Sequence, residues 1–269
     1  MPYANNAGIK IHFEVEGHGP PIMMVHGFAG NLEHWRAMGF VEKLSSDYRL
    51  ILVDARGHGK SDKPQEQAAY DLKLMVQDMV AVLDSLGMER ANYYGYSLGG
   101  RIGFRIPIYA PERFQSLMLG GATYPIRGDE DAKDDTLLSI NETLIDALKQ
   151  APERAMEIYI SMREKRFGAF PAAIRDSYLL NDPQALLAAN QAHREVISPK
   201  ASEVLPQVNL PCLIFCGEAD PRLAGARECA RLIPNATFLS FPGLNHLGAY
   251  THSELIVPHV RKFLSEINK

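Results

Sequence analysis

The chain has 269 residues, enough for one large domain or for one domain carrying an inserted lobe. Its apolar share of 46% is that of a globular protein, no run of eighteen apolar residues offers a membrane span, and a net charge of −4 gives nucleic acid or an anionic membrane no reason to bind. The opening Met1-Pro2-Tyr3-Ala4-Asn5-Asn6 lacks the charged-then-apolar pattern of a secretion signal, and three cysteines, an odd number, do not suggest a disulfide frame, so a cytoplasmic setting is expected.

Ile9 to Val15 alternates apolar and polar residues, which predicts a half-exposed strand. Ile22–Val25 and Leu50–Val53 are short, nearly all-apolar runs of the kind found in buried parallel strands. Between Asp71 and Leu86, apolar residues recur at helical spacing (Leu72, Met75, Val76, Met79, Val80, Leu83), and Gly87 ends the helix. A strand at Ala91–Tyr94 leads into Gly95-Tyr96-Ser97-Leu98-Gly99-Gly100, and a helical segment runs on to Ala110. Pro107 should kink that helix, because it removes one backbone bond. Ser116–Leu119 reads as one more strand, and the alternation so far implies a parallel α/β sheet.

The pattern changes after Gly121. Arg127 to Asp135 is highly charged and reads as a solvated connection. From Thr136 to Ile197 the patterns are helical only, with Pro152, Pro171 and Pro183 where helices would begin. Alternation returns with a strand at Cys212–Cys216, a helix at Ala224–Ile233, a strand at Thr237–Phe241 and a final helix from Ser253. The expected organisation is a core of residues 1–121 and 207–269, with a helical cap of residues 122–206 inserted into it. Cys212 and Cys216 lie too far apart along an extended strand to be bridged, and with Cys229 they read as small core residues.

A serine between two glycines, Gly95 and Gly99, on a strand-to-helix turn has the form of a nucleophile elbow. Such a turn forces the serine backbone into strain and leaves its hydroxyl clear of the sheet. Serine is a weak nucleophile until a base takes its proton, and histidine is the natural base. His246 is the best placed of the nine histidines, in a loop rich in turn formers after the last strand. The base needs an acid to orient it. Asp220, past the end of the Cys212–Cys216 strand, is the first candidate and Glu218 the second; a helix cap or an Asp-Pro turn is the plainer role for Asp220. The order Ser97, Asp220, His246 is the one expected for an elbow of this type. Two donors must meet the oxyanion formed on attack. The backbone N–H of Leu98 supplies one and that of Phe28, after Gly27, the other, while His26 is assigned to holding that loop. No metal-ligand cluster or nucleotide fingerprint appears, so neither a metal nor a cofactor is expected.

These marks, His26-Gly27-Phe28, Trp35, Asp54-Ala55-Arg56-Gly57-His58-Gly59-Lys60-Ser61, the elbow, Asp220 and His246, together resemble the α/β-hydrolase superfamily over nearly the whole chain. The resemblance implies an eight-stranded, mostly parallel sheet flanked by helices, an inserted helical cap, and structural roles for Arg56, His58 and Ser61. Aspartate nucleophiles mark the family's dehalogenases and epoxide hydrolases, and Ser97 argues against both. The finer resemblance is to small serine esterases and 3-oxoadipate enol-lactonases, which implies hydrolysis of small to medium carboxylic esters or lactones. Cleavage of a carbon–carbon bond by the same residues is an alternative. So is a small-molecule receptor with a vestigial site, although its relatives carry a different elbow spelling. In the cap, Met156, Tyr159, Ile160, Met162, Phe167 and Phe170 supply apolar surface, most of it for packing onto the core. Tyr159 and Phe170 are the candidates for lining a pocket. Arg163 and Arg166 offer a match for a substrate carboxylate, and a solvated helix face is their plainer reading.

Overall fold

The computed structural model describes residues 2–124, 135–167, 169–194 and 199–267. The strands are β1 (Tyr3–Asn6), β2 (Ile9–Glu16), β3 (Pro21–Val25), β4 (Arg49–Val53), β5 (Ala91–Tyr96), β6 (Phe114–Gly120), β7 (Cys212–Gly217) and β8 (Ala236–Phe241). They form one sheet in the order β1-β2-β4-β3-β5-β6-β7-β8. The β1–β2 and β2–β4 pairs are antiparallel and the other five are parallel. The parallel strands β3 to β6 are mostly apolar and buried, Arg49 and Gln115 being their exposed residues, because helices cover both faces. Side chains alternate across the sheet. Met23 and Val25 therefore join one core with Ile51, Val53 and Ile214, while Ile22 and Met24 join the other with Leu50, Leu52 and Leu213. The strand β1 was not anticipated; its four residues carry no alternation long enough to be read.

Five helices precede β6: α1 (Glu33–Ala37), α2 (Phe40–Leu44), α3 (Leu72–Ser85), α4 (Leu98–Gly103) and α5 (Ile106–Tyr109). The predicted apolar stripe of α3, with Leu72, Met75, Val76, Met79 and Leu83, lies in the first core. The segment after the elbow is not one kinked helix but two short ones, separated at Phe104 and Arg105, with Pro107 in the first turn of α5. Proline is tolerated there because the first-turn N–H groups have no intrahelical partner.

Between β6 and β7 the described residues form α6 (Asp135–Gln150), α7 (Ala155–Phe167), α8 (Ala172–Leu179), α9 (Pro183–Arg194) and α10 (Ala201–Val204). Pro171 is the N-cap of α8 and Pro183 the first residue of α9, as their positions suggested. The charged connection at 127–134 lies outside the described residues. After β7 come α11 (Leu223–Leu232), α12 (Gly248–Thr251) and α13 (Ser253–Ile267). Met156, Tyr159 and Ile160 of α7, Phe170 from the loop before α8, and Tyr178 of α8 pack into the same apolar cluster as Trp35, Tyr96 and Tyr250 of the sheet side. All three cysteines are free and buried.

Candidate active site

The site grows from the carboxyl ends of β3, β5, β6, β7 and β8. Ser97 follows β5 directly, with φ 52° and ψ −104°. That is a strained conformation for a residue with a side chain, and strain of this sort persists only where the surroundings hold it. Here Ser97 N–H donates to Gly120 O at 2.8 Å, and Arg101 N–H donates to Ser97 O at 2.9 Å. The turn lies hard against β3. Gly99 N–H donates to His26 O at 3.1 Å, and a Cβ on Gly99 would sit 2.1 Å from Val25 O. Only glycine fits at that approach.

His246 sits in the loop after β8 and comes to Ser97 over the end of β7. At Gly217 a Cβ would fall 2.1 Å from Leu244 O, so the absence of a side chain lets this loop fold over the strand end. Tyr96 Oη donates to His246 O at 2.5 Å, and the two rings lie 5.4 Å apart. Tyr96 also stacks on Tyr250 at 4.3 Å. No signal in the sequence points to the bond that Tyr96 makes 150 residues away.

The three candidate residues form one chain of hydrogen bonds. His246 Nδ1 is 2.6 Å from Asp220 Oδ2, and His246 Nε2 is 3.1 Å from Ser97 Oγ. An ionised carboxylate only accepts, so Nδ1 carries the proton and Nε2 is left to accept from the serine hydroxyl. Asp220 is the acid that meets the histidine; Glu218 is elsewhere, accepting from Ser240 Oγ at 3.0 Å.

Burial by itself raises the Asp220 pKa. The His246 hydrogen bond, the charges of His246 and Arg222, and the Arg222 N–H outweigh it and hold the carboxyl down to about 2. For His246, burial lowers the pKa most and the Arg222 charge adds to that. The hydrogen bond and charge of Asp220 pull it up, Arg163 opposes them, and the net shift is downward. Burial and the neighbouring Asp220 push the Cys216 thiol up, so it stays protonated.

The loop after β3 flanks the serine. A Cβ on Gly27 would lie 3.5 Å from Ser97 Cβ. His26, as expected of it, ties this loop to the one after β4: Nδ1 bonds Gly27 O at 2.8 Å and Nε2 accepts from Ala55 N–H at 3.1 Å. Phe28 follows, its ring edge-on to His58 at 5.5 Å. Leu98 begins α4 directly after the serine. The Asp54–Ser61 turn is a scaffold. Arg56 holds Asp78 with two bonds of 2.9 and 2.6 Å, and Ser61 Oγ donates to Asp54 O at 2.7 Å.

Three contacts tie the helices between β6 and β7 to this region. Asn181 Nδ2 donates to Ala29 O at 2.6 Å, Ser177 Oγ lies 2.6 Å from His34 Nε2, and Arg101 Nη2 donates to His193 O at 2.8 Å. The His34 imidazole is held down to about 3, chiefly by burial, and it has no acid partner like that of His246. Tyr159 is 2% exposed and Phe170 packs on Tyr178 at 5.3 Å. The Arg166 and Phe167 side chains lie outside the described residues. Among those described, no group of three His, Cys, Asp or Glu is placed to hold a metal ion. No described helix is long and apolar enough to cross a membrane.

Comparison with known proteins agrees with this architecture. Residues 20–203 match the family model described as the alpha/beta hydrolase fold. A pimeloyl-[acyl-carrier protein] methyl ester esterase from Nitrosomonas europaea is 31% identical over 243 residues, spanning 88% of this chain and 92% of that protein. Among solved structures, a thermophilic esterase from Thermogutta terrifontis superposes with a TM-score of 0.79 at 23% identity, covering 100% of this chain and 99% of that one. An enol-lactonase from Burkholderia xenovorans LB400 superposes with a TM-score of 0.78 at 22% identity, covering 98% of this chain and 100% of its own.

Proposed function

This chain belongs to the α/β-hydrolase family, and from that membership we propose that it cleaves carboxylic esters or lactones of small to medium size through an acyl-enzyme formed on Ser97. The observation that carries this reading is the hydrogen-bonded chain from Ser97 through His246 to Asp220, at 3.1 and 2.6 Å, on a serine held at positive φ. Ser97 Oγ attacks the carbonyl carbon while His246 Nε2 takes its proton. The oxyanion is met by the N–H groups of Leu98 and Phe28, both beside the serine. The C–O bond breaks, His246 returns the proton to the leaving alkoxide, and the acyl group stays on Ser97. A water then gives a proton to the same nitrogen as its oxygen attacks the acyl carbon; the bond from that carbon to Ser97 Oγ breaks, His246 returns the proton to Ser97 Oγ, and the acid leaves. Every proton passes through His246, so the cycle needs no cofactor. The three buried, free cysteines support a reducing, cytoplasmic setting. An esterase among the relatives supports the ester class over carbon–carbon cleavage.

The same reading takes residues 122–206 as a cap over a core of 1–121 and 207–269. Support comes from the position of α6 to α9 between two adjacent strands, and from the bonds of Asn181 and His193 to the loop after β3 and to α4.

The deciding experiment pairs substitution with labelling. Ser97→Ala should lower kcat/KM on an aryl ester by about 10⁴-fold or more with the fold retained. A fluorophosphonate should label Ser97, read by peptide mass spectrometry. Asp220→Asn should cripple turnover while Glu218→Gln leaves it near wild type. Near-normal turnover by a folded Ser97→Ala protein would refute the proposal.

A further inference from the structure

Beside the Ser97–His246–Asp220 chain stands a side chain that the motif does not contain. Arg222 is the N-cap residue of α11, two residues past Asp220, with its side chain 13% exposed. Its backbone N–H donates to Asp220 Oδ1 at 3.0 Å and its Nη1 reaches the same oxygen at 3.4 Å. Asp220 Oδ2 is thereby left to His246. With both oxygens engaged from different sides, the carboxylate has one orientation. Rotation about its terminal bond, otherwise soft, would break all three contacts.

The second contact of Arg222 is of another kind. Nη1 lies 3.4 Å from His246 Nδ1. That nitrogen already donates its hydrogen to Asp220, and a guanidinium cannot accept, so no hydrogen bond joins them. The contact is tolerable while the ring is neutral and becomes a like-charge contact once the ring takes a second proton.

Taking the serine-hydrolase reading above as its basis, we propose that Arg222 is a positioning residue of this site: it orients Asp220 through the oxygen that His246 does not use, and its fixed positive charge keeps the imidazole neutral, and so able to accept the serine proton, in mildly acidic solution. Other groups face the imidazole from every side and set its background. Asp220 from the loop after β7 favours the charged ring, Arg163 from α7 opposes it, and Tyr96 and Ser97 at the end of β5 are neutral partners. Cys216 of β7 hydrogen-bonds Asp220 as a neutral thiol. Tyr250 stacks on Tyr96, and burial keeps its phenol neutral. Arg222 is the only charge among these that touches acid and base together, so it is the one whose removal should move both.

The test compares wild type with Arg222→Gln, Arg222→Met and Arg222→Lys by two readouts. One is kcat/KM against pH; the other is the titration of the His246 ring followed by NMR in the free protein. Removing a charge at this distance from a partly solvated ring should raise the midpoint by about one pH unit. The uncharged variants should match wild type most closely above neutrality and fall behind by up to about ten-fold at the acid end. Arg222→Lys, which keeps the charge, should stay near wild type in both readouts. Arg222→Met retains the aliphatic stem and serves should Arg222→Gln fail to fold. A His246 midpoint unmoved in the uncharged variants would overturn the proposal. A purely structural role would lower the rate at all pH values without moving the midpoint. Failure of the serine-hydrolase reading is a separate result, seen as activity surviving in Ser97→Ala, and the NMR titration decides the role of Arg222 in either case.

Discussion

At the scale of single residues, the proposed mechanism divides labour between two titrating groups. Asp220 is held down to about 2, so it stays ionised at any pH at which a folded enzyme would be assayed. The sign of the linked stability follows. Its depressed pKa contributes folding stability that is complete above about pH 4 and is lost as the pH falls towards 2. His246 must be neutral to act as a base, and its pKa is lowered, first by burial and next by Arg222. The basic form is therefore lost only as the pH falls below the ordinary imidazole value. The acid limb of kcat/KM should have its midpoint below about pH 6.5. A pH profile from 4.5 to 8.5 on a substrate without titrating groups would measure it, and a midpoint above 7 would mean that Asp220 outweighs burial and Arg222.

At the scale of elements, the β5–α4 turn is specified by exclusion of side chains as much as by attraction. Gly99 N–H bonds the carbonyl of His26, and Val25 O occupies the space a Cβ on Gly99 would need, so the elbow is docked on the loop that holds Phe28. A methyl group at Gly99 would meet backbone that belongs to β3 and cannot yield without moving the sheet. Gly99→Ala should cost about 3 kcal/mol or more, measured as a drop in the urea midpoint, and turnover should fall beyond the loss of folded protein because Phe28 and Ser97 would separate. Retention of both midpoint and turnover would show that the turn can relax. The elements themselves were largely legible beforehand. The strands β3, β4, β6 and β7 are short apolar runs, and α3 shows its stripe directly. The helix after the elbow was not legible in detail. Pro107 announced a disturbance, but whether it kinks one helix or begins a second depends on packing of Ile102 and Ile106 into the core beneath.

At the scale of the molecule, the proposed function has the helices between β6 and β7 govern what reaches Ser97. Tyr159 of α7 and Phe170, in the loop before α8, lie buried in the cluster that also holds Tyr96 and Tyr250, which lie next to the site. A roof of this kind excludes water and strengthens the oxyanion contacts. It should favour short and medium acyl esters and lactones over long triglycerides. The measurement is kcat/KM across an acyl-chain series for wild type, Tyr159→Ala and Phe170→Ala. Each substitution should lower the melting temperature, since truncating a buried aromatic costs about 3–5 kcal/mol, and should also change the order of chain-length preference. A flat series, unchanged by either variant, would show that these helices stabilise the fold without shaping the pocket.

The class of fold, a helical stretch between β6 and β7, and Ser97 and His246 are legible in the chain alone, with Asp220 as the first of two candidate acids. Those features rest on local rules: periodicity, glycine at a forced turn, and residue types suited to proton transfer placed at strand ends. The tertiary structure fixed the order of strands, with β2 antiparallel between β1 and β4, and the choice of Asp220 over Glu218. Both carboxylates follow β7, and only the path of the loop over Gly217 determines which one His246 meets. It also brought Arg222 against the acid and the base, Tyr96 to the carbonyl of His246, and Asn181 to Ala29. These pairs are 24, 150 and 152 residues apart in the chain. Contacts at such separations leave no periodic trace, because they depend on where two independently formed elements end up in space.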